Sequence, residues 1–148
     1  MSSKRAQYRR ILESSLKGDF EEAERLNAEA DDIPFSDSAV LVGAAFYLAV
    51  RKNFVSDASH DAVKAFVKEA AAEYADAQPQ LRPLVIEGLV RAVLGEADLM
   101  QGIDAQEAVQ TQMPLTYKIV ADLRLSGDAL SQLLDEAEEL ATEWASEG

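Results

Sequence analysis

The sequence predicts an all-α fold: a single domain over 1–148, built as a bundle of about seven or eight helices around a central apolar helix at about 38–52. Three observations predict it. No stretch sustains the alternation of a half-buried strand, whereas apolar residues recur three and four apart along most of the chain. Alanine is abundant, and the helix breakers are few, with 7 glycines and 4 prolines. Residues 38–50, SAVLVGAAFYLAV, carry no charge in a chain of net charge −13. That run is too short to span a bilayer, which takes about 20 apolar residues, and it lies well inside the chain behind acidic residues, unlike a signal peptide. A helix apolar on nearly all sides is one surrounded by others.

The first helix is expected over about 4–17, with Tyr8, Ile11, Leu12 and Leu16 on one face. Gly18 stops it, and Asp19 opens a second helix with Glu22 as capping-box partner. That helix carries an apolar stripe of Phe20, Ala23, Leu26 and Ala30. DDIPFSD is read as a loop, because Pro34 pushes Ile33 out of helical geometry. Asp37 or Ser36 is expected to cap the apolar helix, and Arg51 and Lys52 suit the negative end of its dipole. One side of this helix could instead pack on a second copy in a homodimer.

A fourth helix, about 57–75, turns Ala62, Val63, Phe66, Val67, Ala70 and Tyr74 inward and leaves Glu69 and Glu73 outside. Pro79 and Pro83 bracket the start of a fifth, which runs to about Leu94; Gly88 within it suggests a close helix crossing. Asp104–Glu107 signals a helix over about 105–112, Pro114 restarts the chain, and Leu115, Ile119, Val120 and Leu123 line the next helix. The last helix has the cleanest stripe: Leu130, Leu133, Leu134, Ala137, Leu140, Ala141 and Trp144. No linker or low-complexity tract divides the chain.

Charge is placed unevenly. Lys4, Arg5, Arg9, Arg10 and Lys17 load the first helix, whereas after Arg124 no basic residue follows and acids accumulate. The economical expectation is that the first helix lies beside the last within one molecule. The candidate partner-binding surface is the acidic face Asp135, Glu136, Glu138, Glu139 and Glu143, suited to the basic surface of a protein partner. An apolar-ligand bundle, with a pocket left by the small residues of the apolar helix, is the alternative.

The stretch IVADLRLSGDALSQLL, 119–134, resembles the helix-turn-helix of DNA-binding proteins, with Arg124 at the turn position usually held by glycine. The resemblance implies a recognition helix bearing Asp128, Gln132, Asp135, Glu136, Glu138 and Glu139, whose carboxylates repel phosphate, so nucleic acid is not the expected partner. No cysteine is present, which removes disulfides and thiol chemistry and fits a cytoplasmic setting. The lone His60 sits on a polar helix face without a triad partner or metal-ligand spacing. No catalytic, cofactor-binding or metal residue is therefore expected, and the chain reads as a non-enzymatic interaction or regulatory module.

Overall fold

In the computed structural model, which describes residues 3–30, 32–76 and 80–147, the uncharged run forms the middle of a 19-residue helix. The elements are α1 (Ser3–Leu16), α2 (Phe20–Glu29), α3 (Phe35–Asn53), α4 (His60–Glu73), α5 (Pro83–Val93), α6 (Ala105–Asp122) and α7 (Asp128–Glu147). A 3-10 segment, Ala97–Gly102, joins α5 to α6, and no strand occurs among the described residues.

Local chemistry explains most of the boundaries. At the end of α1, Gly18 sits at φ +81, a conformation that a Cβ disfavours. Its N–H reaches the Ser15 carbonyl at 3.0 Å and that of Asp19 reaches Ser14 at 2.9 Å, closing the open end of the helix. The Asp19 side chain then accepts the Glu22 N–H at 3.3 Å, although the Glu22 carboxylate turns to Arg25 rather than completing a reciprocal box. Ser59 caps α4 by accepting from Ala62 at 3.2 Å. The helix therefore begins at His60, and Asp57 belongs to the preceding turn, accepting the Ser59 N–H. Pro83 occupies the first turn of α5, and Pro79 lies outside the described residues.

Three expectations are corrected. Neither Ser36 nor Asp37 caps α3: the helix starts at Phe35, and the Pro34 carbonyl accepts the N–H groups of Asp37 and Ser38 at 3.0 and 3.3 Å. Pro34 is extended enough to end the loop and still open the helix directly behind it. Pro114 does not restart the chain but lies inside the continuous helix α6. A mid-helix proline costs about 3 kcal/mol, and here burial on both sides of it offsets that cost, with Ala108, Thr111, Gln112, Leu115, Ile119 and Val120 all covered. Leu123, expected inside, is 38% exposed because the helix ends at Asp122 and the chain turns away.

α3 ties the interior together. Its Phe46, Ala49 and Val50 join one apolar cluster with α4, α5 and α6, while its Leu41, Ala44 and Ala45 join a second with α1, α6 and α7. A smaller cluster of Ile11, Ala23 and Leu26 seals α2 against α1. Completely buried alanines at 44, 45 and 49 let α6 and α7, the helices α3 packs on most closely, approach its backbone. Burial of a Phe or Leu side chain such as Phe46 or Leu41 contributes roughly 1.5–3 kcal/mol. Gly88 meets not a crossing helix but the side chain of Ile103, the residue after the 3-10 segment: a Cβ there would lie 3.3 Å from Ile103 Cδ1.

Trp144 stands edge-on to Tyr47, with ring centroids 5.8 Å apart, and a Cβ built at Gly43 would meet its ring at 3.8 Å. This side of α3 is thus lined by α7 of the same chain. The 3.8 Å contact is ordinary van der Waals distance, so Gly43→Ala is expected to raise stability by about 0.5–1 kcal/mol through helix propensity. Gly43→Leu should displace Trp144 and cost about 1–3 kcal/mol. Denaturant unfolding followed by fluorescence of the single tryptophan measures both.

Candidate functional site

The outer face of α7 is one-signed. Asp135, Glu139 and Glu143 recur every four residues, and Glu138 and Thr142 lie beside them along an open groove of about 640 Å³. Like charges at this spacing repel by about 0.2–0.5 kcal/mol per pair, and acids near the C-terminal end also oppose the helix dipole.

α1 answers part of that charge, as the asymmetry of the sequence predicts. Arg9 donates to Asp135 Oδ1 at 2.5 Å and to Glu138 Oε2 at 3.0 Å, and its second terminal nitrogen points at Ser131. Burial weighs against the Arg9 charge, but these hydrogen bonds outweigh it and hold its pKa above the ordinary arginine value. The buried Arg5 donates to the Thr142 hydroxyl at 3.2 Å. Of the five predicted residues, Asp135 and Glu138 are therefore engaged within the molecule. Glu139 and Glu143 are exposed and have no cationic partner among the described residues, and Glu136 is half-buried and takes no part in the Arg9 pairing.

A second charged constellation escapes the sequence reading. Lys118 on α6 is 1% exposed at its side chain, and its ammonium donates to three carboxylates, Glu69, Glu73 at 2.9 Å and Asp122 at 3.0 Å. All three N–H donors are thereby used, and the Phe66 ring lies 5.7 Å from the nitrogen. Burial disfavours the ammonium, but the hydrogen bonds to Glu69, Glu73 and Asp122 prevail and raise its pKa above that of a free lysine. A neighbouring bond, from the Tyr74 hydroxyl to the Pro114 carbonyl at 3.0 Å, makes a second link between α4 and α6. The sequence offers one cue: Lys118 and Asp122 are spaced for a pair across one helical turn. On α5, Glu87 and Arg91, one turn apart, pair at 3.0 Å, and Arg91 also grips Glu96 at 2.7 Å.

At the corner between α6 and α7, Arg124 adopts φ 55, the left-handed conformation that glycine supplies in a helix-turn-helix turn. Its N–H bonds to Ala121 at 3.1 Å and that of Leu125 bonds to Val120 at 3.0 Å, the same closure that Gly18 makes at the end of α1. α7 then lies along α3 with its carboxylates outward. His60 is exposed at the start of α4. No group of three or more His, Asp or Glu side chains is arranged to hold a metal ion among the described residues, and no described helix is long and apolar enough to cross a membrane. No protein-family model, curated protein or solved structure matches the chain.

Two outcomes follow from these charges. The acids around Lys118 have side chains that are 47–61% exposed and remain hydrated without it, whereas the ammonium is enclosed by them. Replacing Glu69, Glu73 and Asp122 together by Gln, Gln and Asn should therefore cost more, about 3 kcal/mol, than Lys118→Met, about 1 kcal/mol. Urea unfolding at neutral pH compares them.

Tyr8, half-buried with its hydroxyl 3.8 Å from Met113 Sδ, titrates unusually: burial pushes it up to about 12. A pKa raised by folding contributes stability that is complete below the unfolded value, near 10, and lost as pH rises toward 12. Tyr8→Phe should therefore change stability by less than about 1 kcal/mol at pH 7 yet spare about 1–2 kcal/mol of the loss by pH 12, read from denaturation midpoints across that range.

Proposed function

We propose that this chain is a non-catalytic interaction module that binds the basic surface of a protein partner along the outer face of α7. The observation that carries the reading is the stretch Glu139 to Glu143, two exposed carboxylates one turn apart that make no ion pair among the described residues. Along the same groove Arg9 pairs with Asp135 and Glu138 and Arg5 donates to the Thr142 hydroxyl, which leaves the carboxylates of Glu139 and Glu143 unmatched by an ion pair among the described residues. A helix that keeps self-repelling acids on its free face gives up stability, and a cationic partner would restore it on binding.

The test separates the face from the net charge. Glu139→Lys with Glu143→Lys should leave the free protein as stable as before, or more stable by about 0.5 kcal/mol, and should abolish retention of a partner captured from cell lysate at low salt. The control pair Glu21→Lys with Glu24→Lys changes net charge equally on the exposed side of α2 and should retain the same partner. Equal loss in both pairs would mean bulk charge rather than this face does the binding, and retention by the α7 pair would end the proposal.

A further inference from the structure

Where α1, α2, α4 and α6 meet, a slot of about 300 Å³ opens to solvent between Leu16, Phe20, Tyr74, Met113, Pro114 and Tyr117. Its wall is almost wholly apolar: the Tyr74 hydroxyl is spent on the Pro114 carbonyl, and the Met113 sulfur is turned toward Tyr8. Phe20 stays 56% exposed at its lip, with its ring 5.7 Å from that of Tyr117. Residues this apolar and this open to solvent are what a small hydrophobic guest would cover.

Beside the slot lies a second recess of about 330 Å³, which shares the Leu16 and Tyr117 wall and is bordered by Lys17, Arg124 and Ser126. Here the local charge is opposite to that of the molecule. Lys17 is held only by a loose exposed pair with Glu13 at 3.6 Å, and Arg124 has no ion-pair partner among the described residues. The Tyr117 hydroxyl, on the boundary between the recesses, makes no hydrogen bond within the described residues and passes over the backbone of Gly18. Arg124 also keeps a left-handed backbone that glycine would adopt without strain, so its side chain is retained at a conformational cost.

We infer that this paired recess is a binding site for a small amphiphilic carboxylate, its hydrocarbon portion in the apolar slot and its carboxylate beside Lys17, Arg124 and the Tyr117 hydroxyl. The assignment is independent of the partner surface on α7: it uses a different corner of the bundle and the opposite sign of charge. An apolar tail alone would be satisfied by the slot, and an inorganic anion alone by the cations. Only a molecule with both parts uses the two recesses together.

The probes are decanoate, decanol and decyltrimethylammonium, titrated calorimetrically into the intact protein. Decanoate is expected to bind at one site, decanol about tenfold more weakly, and the cation more weakly still. Lys17→Gln with Arg124→Gln should weaken decanoate about three- to tenfold and leave decanol unchanged, because exposed ion pairs of this kind are worth that much. Ser15→Trp, which fills the slot from its half-buried rim, should abolish binding of both, with circular dichroism reporting that the fold is kept. Equal affinity for decanoate and decanol, or decanoate binding indifferent to the paired glutamines, would overturn the carboxylate assignment. Binding that survives Ser15→Trp, or no binding by any probe, would overturn the site. A dimer in sedimentation that becomes monomeric in Ser15→Trp would give the slot to a second copy, and the ligand site would fall with it.

Discussion

The fold depends on one constraint: α3 has no charged side chain on its middle turns, so most of its circumference must be walled by other helices, with a strip through Ala39, Gly43 and Tyr47 left half-buried. A helix with a single apolar stripe can lie on a surface, but one apolar all round can be stable in water only when enclosed. The enclosure is shared. α6 and α7 lie against the small residues of α3, α1 closes one flank, and α4 and α5 complete the cluster around Phe46, Ala49 and Val50. Because Ala44, Ala45 and Ala49 are fully buried, the helices meet close to backbone contact, and the bulk needed to fill the remaining space comes from leucines on α1, α5, α6 and α7.

Electrostatics follow from that arrangement rather than competing with it. The chain has 14 basic residues against 27 acidic ones, and several of the cations stand where elements join. Arg9 ties α1 to α7, Lys118 ties α6 to α4, Arg82 grips Glu107 at 2.7 Å between the start of α5 and α6, and Arg91 holds the segment after α5. Cations used at joints are not available to neutralise free faces. The surplus of acid therefore collects on faces such as the outside of α7, while the recess beside Lys17 and Arg124 stands out by its opposite sign.

Much of the architecture is legible from residue order alone. The apolar helix shows itself because its periodicity fails, the stripe of α7 because its periodicity is so regular, and the α1–α7 pairing because their charges are opposite. What residue order does not carry are outcomes decided by tertiary contact. Pro114 signals a break locally, and only the burial of Leu115, Ile119 and the residues before it shows why the helix continues. Leu123 keeps helical spacing with Leu115 and Ile119, but the helix has ended before its spacing matters. Lys118 looks like any surface lysine until Glu69 and Glu73 arrive from another helix. The apolar slot is equally hidden, since it is formed by side chains from separated segments, whereas the small residues of the sequence point to a pocket near α3 instead.

The position of α7 in the chain bears on how the protein is made. α3 leaves the ribosome before α7, one of the two helices that lie against it most closely. At roughly 5–20 residues per second, several seconds of elongation separate the two. Throughout that interval Gly43, Tyr47 and the alanines beside them have no tryptophan-bearing helix to lie against. A nascent chain of this protein thus carries an uncharged, apolar segment without its full cover until α7 has been made, and native closure waits on that helix.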